Sequence, residues 1–162
     1  MITFETSLGS FSIELFEREA PKSCANFTQY VADGFFDGTV FHRVVPGFVV
    51  QGGGMIEDLS QKQTRPPIPN EAHNELENLR GTLSMARTND IHSATSQFFV
   101  NLKDNDSLNH RAGQYGYAVF GRVTAGMETI DKIAAVKTGR RKGHDDCPLE
   151  AVTVISARRV AA

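Results

Sequence analysis

With 162 residues, 40% hydrophobic and 22% charged, the chain has the size and composition of one globular domain, neither disordered nor in need of a disulfide or metal to hold its core. A net charge of −2 supplies no global field that would draw it to nucleic acid or an acidic membrane. No apolar run approaches the ~18 residues of a membrane span, and the opening Met1-Ile2-Thr3-Phe4-Glu5-Thr6 lacks the basic and apolar regions of a signal peptide. The expectation is a single domain over 1–162, cytoplasmic, monomeric, with no nucleic-acid or membrane partner. Cys24 and Cys147 match no metal-ligand spacing, and in a reducing compartment they are expected to stay unpaired.

Taken in order, Ile2 to Thr6 and Ser10 to Leu15 read as a hairpin turning at Ser7-Leu8-Gly9. The second strand alternates strictly, with Phe11, Ile13 and Leu15 on one face and Ser10, Ser12 and Glu14 on the other. A helix begins at Pro21, which suits a first turn, and carries Ala20, Cys24, Phe27 and Val31 at helical spacing until Gly34. Strands follow at Thr39 to Val45 and Phe48 to Gln51. Gly52 to Gly81 is a long polar connection in which Pro66, Pro67 and Pro69 exclude a central strand. It is either a functional loop or an excursion over the wall of the fold. Further strands are read at Thr82 to Ala86, Gln97 to Leu102, Tyr117 to Val123 and Ala151 to Val160. A second helix holds Met127, Ile130, Ile133 and Ala134. Arg140-Arg141-Lys142, answered by Asp145 and Asp146, reads as a solvated loop. Pattern alone yields an all-β barrel with two helices and no reaction.

The informative stretch is Phe41-His42-Arg43-Val44-Val45-Pro46-Gly47-Phe48-Val49-Val50-Gln51-Gly52-Gly53-Gly54. On residue type alone, its apolar members are ordinary core and Arg43 is a surface arginine. His42, next to Arg43 on a strand, points to the opposite face and reads as a hydrogen-bonded structural histidine. The remaining histidines, His73, His92, His110 and His144, lie in polar segments and read as solvated. Phe98 and Phe99 alternate on one strand, so one faces the core and the other is available as a pocket wall.

This stretch closely resembles the signature of the cyclophilin family of peptidyl-prolyl cis/trans isomerases. Gly81-Thr82-Leu83-Ser84-Met85-Ala86 resembles the family's central strand, and Ser96-Gln97-Phe98-Phe99 with Val119-Phe120-Gly121 resembles its later core. The resemblance runs from about Ile2 to Val160. It implies a closed eight-stranded antiparallel β-barrel capped by two α-helices, with the active site in a groove on the outer surface. It assigns catalysis to Arg43 and Gln51 and a proline pocket to Phe48, Val49, Phe99 and Leu108. Substrate binding further involves Ala86 and Arg87, through backbone strand addition, and Tyr117. Arg87 stands where many members have asparagine, Val49 where many have methionine, and Tyr117 where many have histidine, the last a change associated with bacterial members. No cofactor or metal is implied. The implied partners are proline-containing peptides and unfolded proteins. Weak cyclosporin binding is also implied, because Ser107 stands near the tryptophan that grips the drug in other members.

The residue types suit the reaction. The amide barrier of about 18–20 kcal/mol comes from resonance across the C–N bond. In the twisted transition state the proline nitrogen gains a lone pair, and a guanidinium bonds it better there than in the planar state. Two other readings compete: a proline-peptide binding module without turnover, and a barrel that holds a small ligand inside. The bulky inward candidates Phe11, Ile13 and Leu15 weigh against the second.

Overall fold

In the computed structural model, which describes residues 1–160, the N-terminal hairpin starts the main sheet. The last two positions of the expected 1–162 domain lie outside the described residues. Strands β1 (Ile2–Thr6) and β2 (Gly9–Leu15) pair with Phe4 opposite Phe11 and Ile2 opposite Ile13. All four side chains are buried, and the Phe4 and Phe11 rings stack 4.9 Å apart. Then come α1 (Pro21–Ala32), β3 (Arg43–Val45), β4 (Val49–Gly52), β5 (Thr82–Met85), β6 (Phe98–Asn101), β7 (Val119–Ala125), α2 (Met127–Ala134), β8 (Thr138–Arg141), β9 (His144–Pro148) and β10 (Val154–Arg159).

Eight strands form one antiparallel sheet in the order β10-β1-β2-β7-β5-β6-β4-β3. The expected closed barrel is found as an open ladder, because edge strands β3 and β10 share no register. Between them runs a short seam. The Phe41 N–H donates to the Val152 carbonyl at 3.0 Å, the Val154 N–H to Thr39 at 2.8 Å, and Val40 bridges Thr153. Beyond these contacts β3 is an edge strand that pairs with β4 alone.

Aromatic rings fill the interior. Phe4, Phe11, Phe27, Phe36, Phe41, Phe98, Phe120 and Tyr30 are all buried to within 2%. Tilted and edge-to-face contacts link Phe98 to Phe4, Phe27, Phe36 and Phe41, the favoured geometry for such rings. This filling, among the described residues, weighs against a ligand held inside the barrel.

Helix α1 begins with Pro21 as read from the sequence and turns Cys24, Phe27, Tyr30 and Val31 inward. Ala20 offers no side-chain cap. Instead Glu71, from the long connection, accepts from the Lys22 N–H at 3.2 Å, the Ser23 N–H at 2.6 Å and the Ser23 hydroxyl at 2.8 Å. A carboxylate there satisfies orphan amides and complements the helix dipole. The connection therefore locks onto the fold. Burial, with the negative charges of Glu17, Glu71 and Glu19 nearby, pushes the Cys24 thiol up to about 12. Cys24 and Cys147 are both buried and unpaired.

The segment read as a solvated loop is a hairpin, β8–β9, and this corrects the sequence reading. Its charged residues stay largely in solvent, but Cys147 and Pro148 are buried and β9 packs beside β3. No helix among the described residues is long and apolar enough to cross a membrane.

Candidate active site

Sheet register assembles the site. Arg43 of β3 lies opposite Gln51 of β4, and Gln51 opposite Phe99 of β6. Directly paired residues project from the same face, so the three side chains form one row across three strands. Their sequence neighbours Val44, Val50 and Phe98 point the other way, into the core. Two residues along, Val49 pairs with Asn101 and extends the outer face.

Three loop segments complete the wall. Ala86 and Arg87 follow β5, Leu108 ends the single turn Asp106–Leu108, and Tyr117 leads into β7. The Tyr117 N–H donates to the Leu108 carbonyl at 3.0 Å. The Phe99 and Tyr117 rings meet edge to face at 5.7 Å. Arg43, Phe48, Val49, Gln51, Ala86, Arg87, Phe99, Leu108 and Tyr117 line one open cavity of about 200 Å³. The structure thus brings together every residue that the sequence reading singled out for the site.

A buried polar network holds these segments. Asn78 is 1% exposed. Its Oδ1 accepts from the Ser84 hydroxyl at 2.6 Å and Asn101 Nδ2 at 3.1 Å. Its Nδ2 donates to the Leu108 carbonyl at 3.2 Å and Asn109 Oδ1 at 3.0 Å. Asn105 Nδ2 donates to Asn101 Oδ1 at 2.8 Å and to the Phe48 carbonyl at 2.9 Å. Leu108 and Phe48 are therefore tied to the central strands through amides rather than through apolar packing alone. In this network Asn105 Oδ1 alone is buried without a partner among the described residues; the remaining bonds of such a network rigidify what they hold.

Arg43 Nη1 donates to Gln51 Oε1 at 3.3 Å, Gln51 Nε2 to Gln97 Oε1 at 3.0 Å, and Gln97 Nε2 to Gln61 Oε1 at 2.9 Å. Gln97 and Gln61 were not among the residues assigned from sequence. Gln97 was within reach, since it sits two residues before Phe99 and a strand's period puts both on one face. Gln61 carried no such signal. Arg87 presents its guanidinium 4.5 Å from the Tyr117 ring centre.

His42 does not line the cavity. It is 5% exposed, with its ring 6.3 Å from that of His144. Its Nδ1 has no hydrogen-bond partner among the described residues, while a hydrogen bond to the Val40 backbone keeps part of the hydrogen-bonded reading. His144 is half-buried against it rather than solvated. Burial, reinforced by the charges of His144 and Arg43, pushes the His42 imidazole down to about 4. The other three histidines are exposed.

The family model described as cyclophilin type peptidyl-prolyl cis-trans isomerase/CLD matches residues 1–159, so the chain belongs to that family and is a peptidyl-prolyl cis/trans isomerase. It is 51% identical over 160 residues to peptidyl-prolyl cis-trans isomerase cyp18 of Streptomyces antibioticus, covering 97% of this chain and 96% of that one. It is 48% identical over 159 residues to peptidyl-prolyl cis-trans isomerase B of Escherichia coli, covering 96% and 97%. A cyclophilin-type isomerase of Cryptosporidium parvum, solved in the presence of the dipeptide Ala-Pro, superposes with a TM-score of 0.85 at 26% identity and covers 99% of both chains.

Proposed function

We propose that the enzyme accelerates X–Pro rotation by holding the proline ring against Phe48, Val49, Phe99, Leu108 and Tyr117 while Arg43 stabilises the twisted amide. The observation that carries this reading is a guanidinium and an apolar wall on one small cavity, with the guanidinium held by neutral amides. Arg43 forms no ion pair among the described residues. A carboxylate partner would fix the side chain but offset its charge. Gln51 fixes it and leaves the charge available to the lone pair that develops on nitrogen. A pre-placed donor of this kind needs no reorganisation as the bond twists. Gln51 thus acts by orienting Arg43, and Ala86 and Arg87 offer an extended substrate their backbone.

The substrates proposed are proline-containing peptides and unfolded proteins, consistent with the Ala-Pro dipeptide present with the Cryptosporidium parvum relative. Two buried, unpaired thiols suit a reducing compartment, and we place the activity in the cytoplasm. Ser107 is exposed beside Leu108 and lacks an indole. Cyclosporin is therefore expected to inhibit weakly, with Ser107→Trp tightening inhibition roughly 30-fold to 1,000-fold. Tight inhibition of the wild type would remove that assignment.

The test of the mechanism is a proline-peptide isomerisation assay on Arg43→Ala and Arg43→Lys. Alanine is expected to lower turnover at least tenfold, about 1.4 kcal/mol or more, with the thermal midpoint little changed. Lysine is expected to rescue poorly because it lacks the planar fork. Wild-type turnover in Arg43→Ala would refute the proposed role.

A further inference from the structure

The groove holds a second guanidinium, which the isomerisation chemistry does not use. Arg87 is locked in place. Its Nε and Nη2 donate to the Gly116 carbonyl at 3.3 and 3.0 Å, its Nη1 donates to the Thr88 carbonyl at 2.9 Å, and its plane lies over Tyr117. All of these partners are neutral. Three N–H groups are committed to carbonyls, and the rest of the fork is unpaired among the described residues. Arg87, like Arg43, forms no ion pair there. The cavity lining contains two arginines and no aspartate or glutamate. The neighbouring acids lie outside it: Asp90 is exposed, its Oδ1 accepting from the His92 N–H, and Asp106 is exposed at the start of its turn.

We propose that Arg87 makes the enzyme select prolyl substrates that carry a carboxylate on a residue flanking the proline. The proposal rests on the isomerase groove described above and adds the class of substrate that it favours. Charge placed against low-dielectric walls such as Phe99, Leu108 and Tyr117 acts more strongly than the same charge in open water. A planar fork with free N–H groups matches a carboxylate in geometry as well as charge. Stacking on Tyr117 and the anchoring to Gly116 immobilise the side chain before substrate arrives, so little ordering remains to be done on binding. The molecule as a whole has a net charge of −2 and cannot attract anions by its global field. Any preference must therefore arise locally, at the groove.

The experiment compares kcat/KM for matched peptides bearing Glu, Gln or Lys immediately before or immediately after proline, at low ionic strength and in 0.5 M NaCl. Wild type is expected to favour Glu over its neutral isostere Gln roughly three- to tenfold in one of the two positions, and to disfavour Lys there. Salt should bring the ratio toward one, a reading that needs no variant. In Arg87→Gln the Glu/Gln ratio should fall to about one whatever happens to overall turnover, and Arg87→Lys should keep part of it. Equal rates for Glu and Gln peptides in both positions, or a preference that survives Arg87→Gln, would overturn the proposal. Loss of the isomerase reading itself would look different: the wild type would fail to turn over the Gln peptides at all.

Discussion

Phe98 and Phe99 are neighbours on one strand, equally apolar and both nearly inaccessible, yet they belong to different parts of the molecule. Phe98 points into the sheet's interior among Phe4, Phe27, Phe36 and Phe41. Phe99 points outward to Tyr117, in a small separate cluster with Val49 and Ala86 that forms the groove wall. The same contrast recurs on the approach to β3, where His42 is buried under the β8–β9 hairpin and Arg43 lines the cavity. The period of a strand divides this enzyme into an inner face that stabilises and an outer face that reacts. Burial alone does not distinguish them, because Phe99 is only 4% exposed.

The largest effect is expected from Phe98→Ala. Truncating a ring in a filled core should cost about 3–5 kcal/mol, lowering the thermal midpoint by roughly 10 °C for a chain of this length. Turnover per folded molecule should stay close to wild type. A loss of turnover without loss of stability would erase the distinction between the two faces.

Next is the His42 side of the contrast. Unfolded, this imidazole takes a proton near its ordinary pKa of 6.5; folded, it takes one only near pH 4. The folded state is therefore penalised wherever the unfolded chain would bind that proton and the folded chain cannot. Its stabilising contribution is complete above about pH 6.5 and is lost as pH falls toward 4, by about 3 kcal/mol in all. Denaturant midpoints from pH 4 to 8 should show that slope in the wild type and a flatter one in His42→Gln. Turnover should be level from about pH 6.5 to 9, because the mechanism moves no proton. A bell-shaped rate profile there would call for an acid or base that the site lacks.

A smaller effect sharpens the outer face. A Cβ on Gly54 would stand 2.5 Å from Gln97 Cγ and 2.7 Å from its Nε2. The flexible Gln97 side chain can yield, so Gly54→Ala should leave stability within about 0.5 kcal/mol. Yielding breaks the bond to Gln51 and loosens Arg43, so kcat should fall roughly three- to fivefold. In a Gln97→Ala background the glycine change should cost nothing further, as a double-mutant cycle would reveal. Additive losses would detach the amide chain from Arg43.

Much of this organisation was legible before the structure. Strand alternation in Ser10 to Leu15 and helical spacing after Pro21 reflect local rules that sequence records directly, whereas the site residues around β3 and β4 were legible only through the family resemblance. What escaped was non-local or unpatterned. The β8–β9 hairpin is highly charged and buries little besides Cys147 and Pro148, so it shows no apolar period to read. The seam between β3 and β10 joins segments more than a hundred residues apart, Thr39 to Phe41 and Val152 to Val154. Glu71 caps a helix 48 residues away from it, and Arg87 finds Tyr117 across a loop. No spacing rule encodes either contact. Gln97 was a different kind of miss, since the period that separates Phe98 from Phe99 already placed it beside the site.

The most direct measurement sets Phe99→Ala against Phe98→Ala, with unfolding free energy and kcat/KM per folded molecule determined for both. The account predicts that Phe99→Ala loses less than half the stability lost by Phe98→Ala and at least tenfold in kcat/KM, because the proline ring loses its wall. A collapse of stability in Phe99→Ala with full activity in the molecules that remain folded would contradict it and return Phe99 to the core.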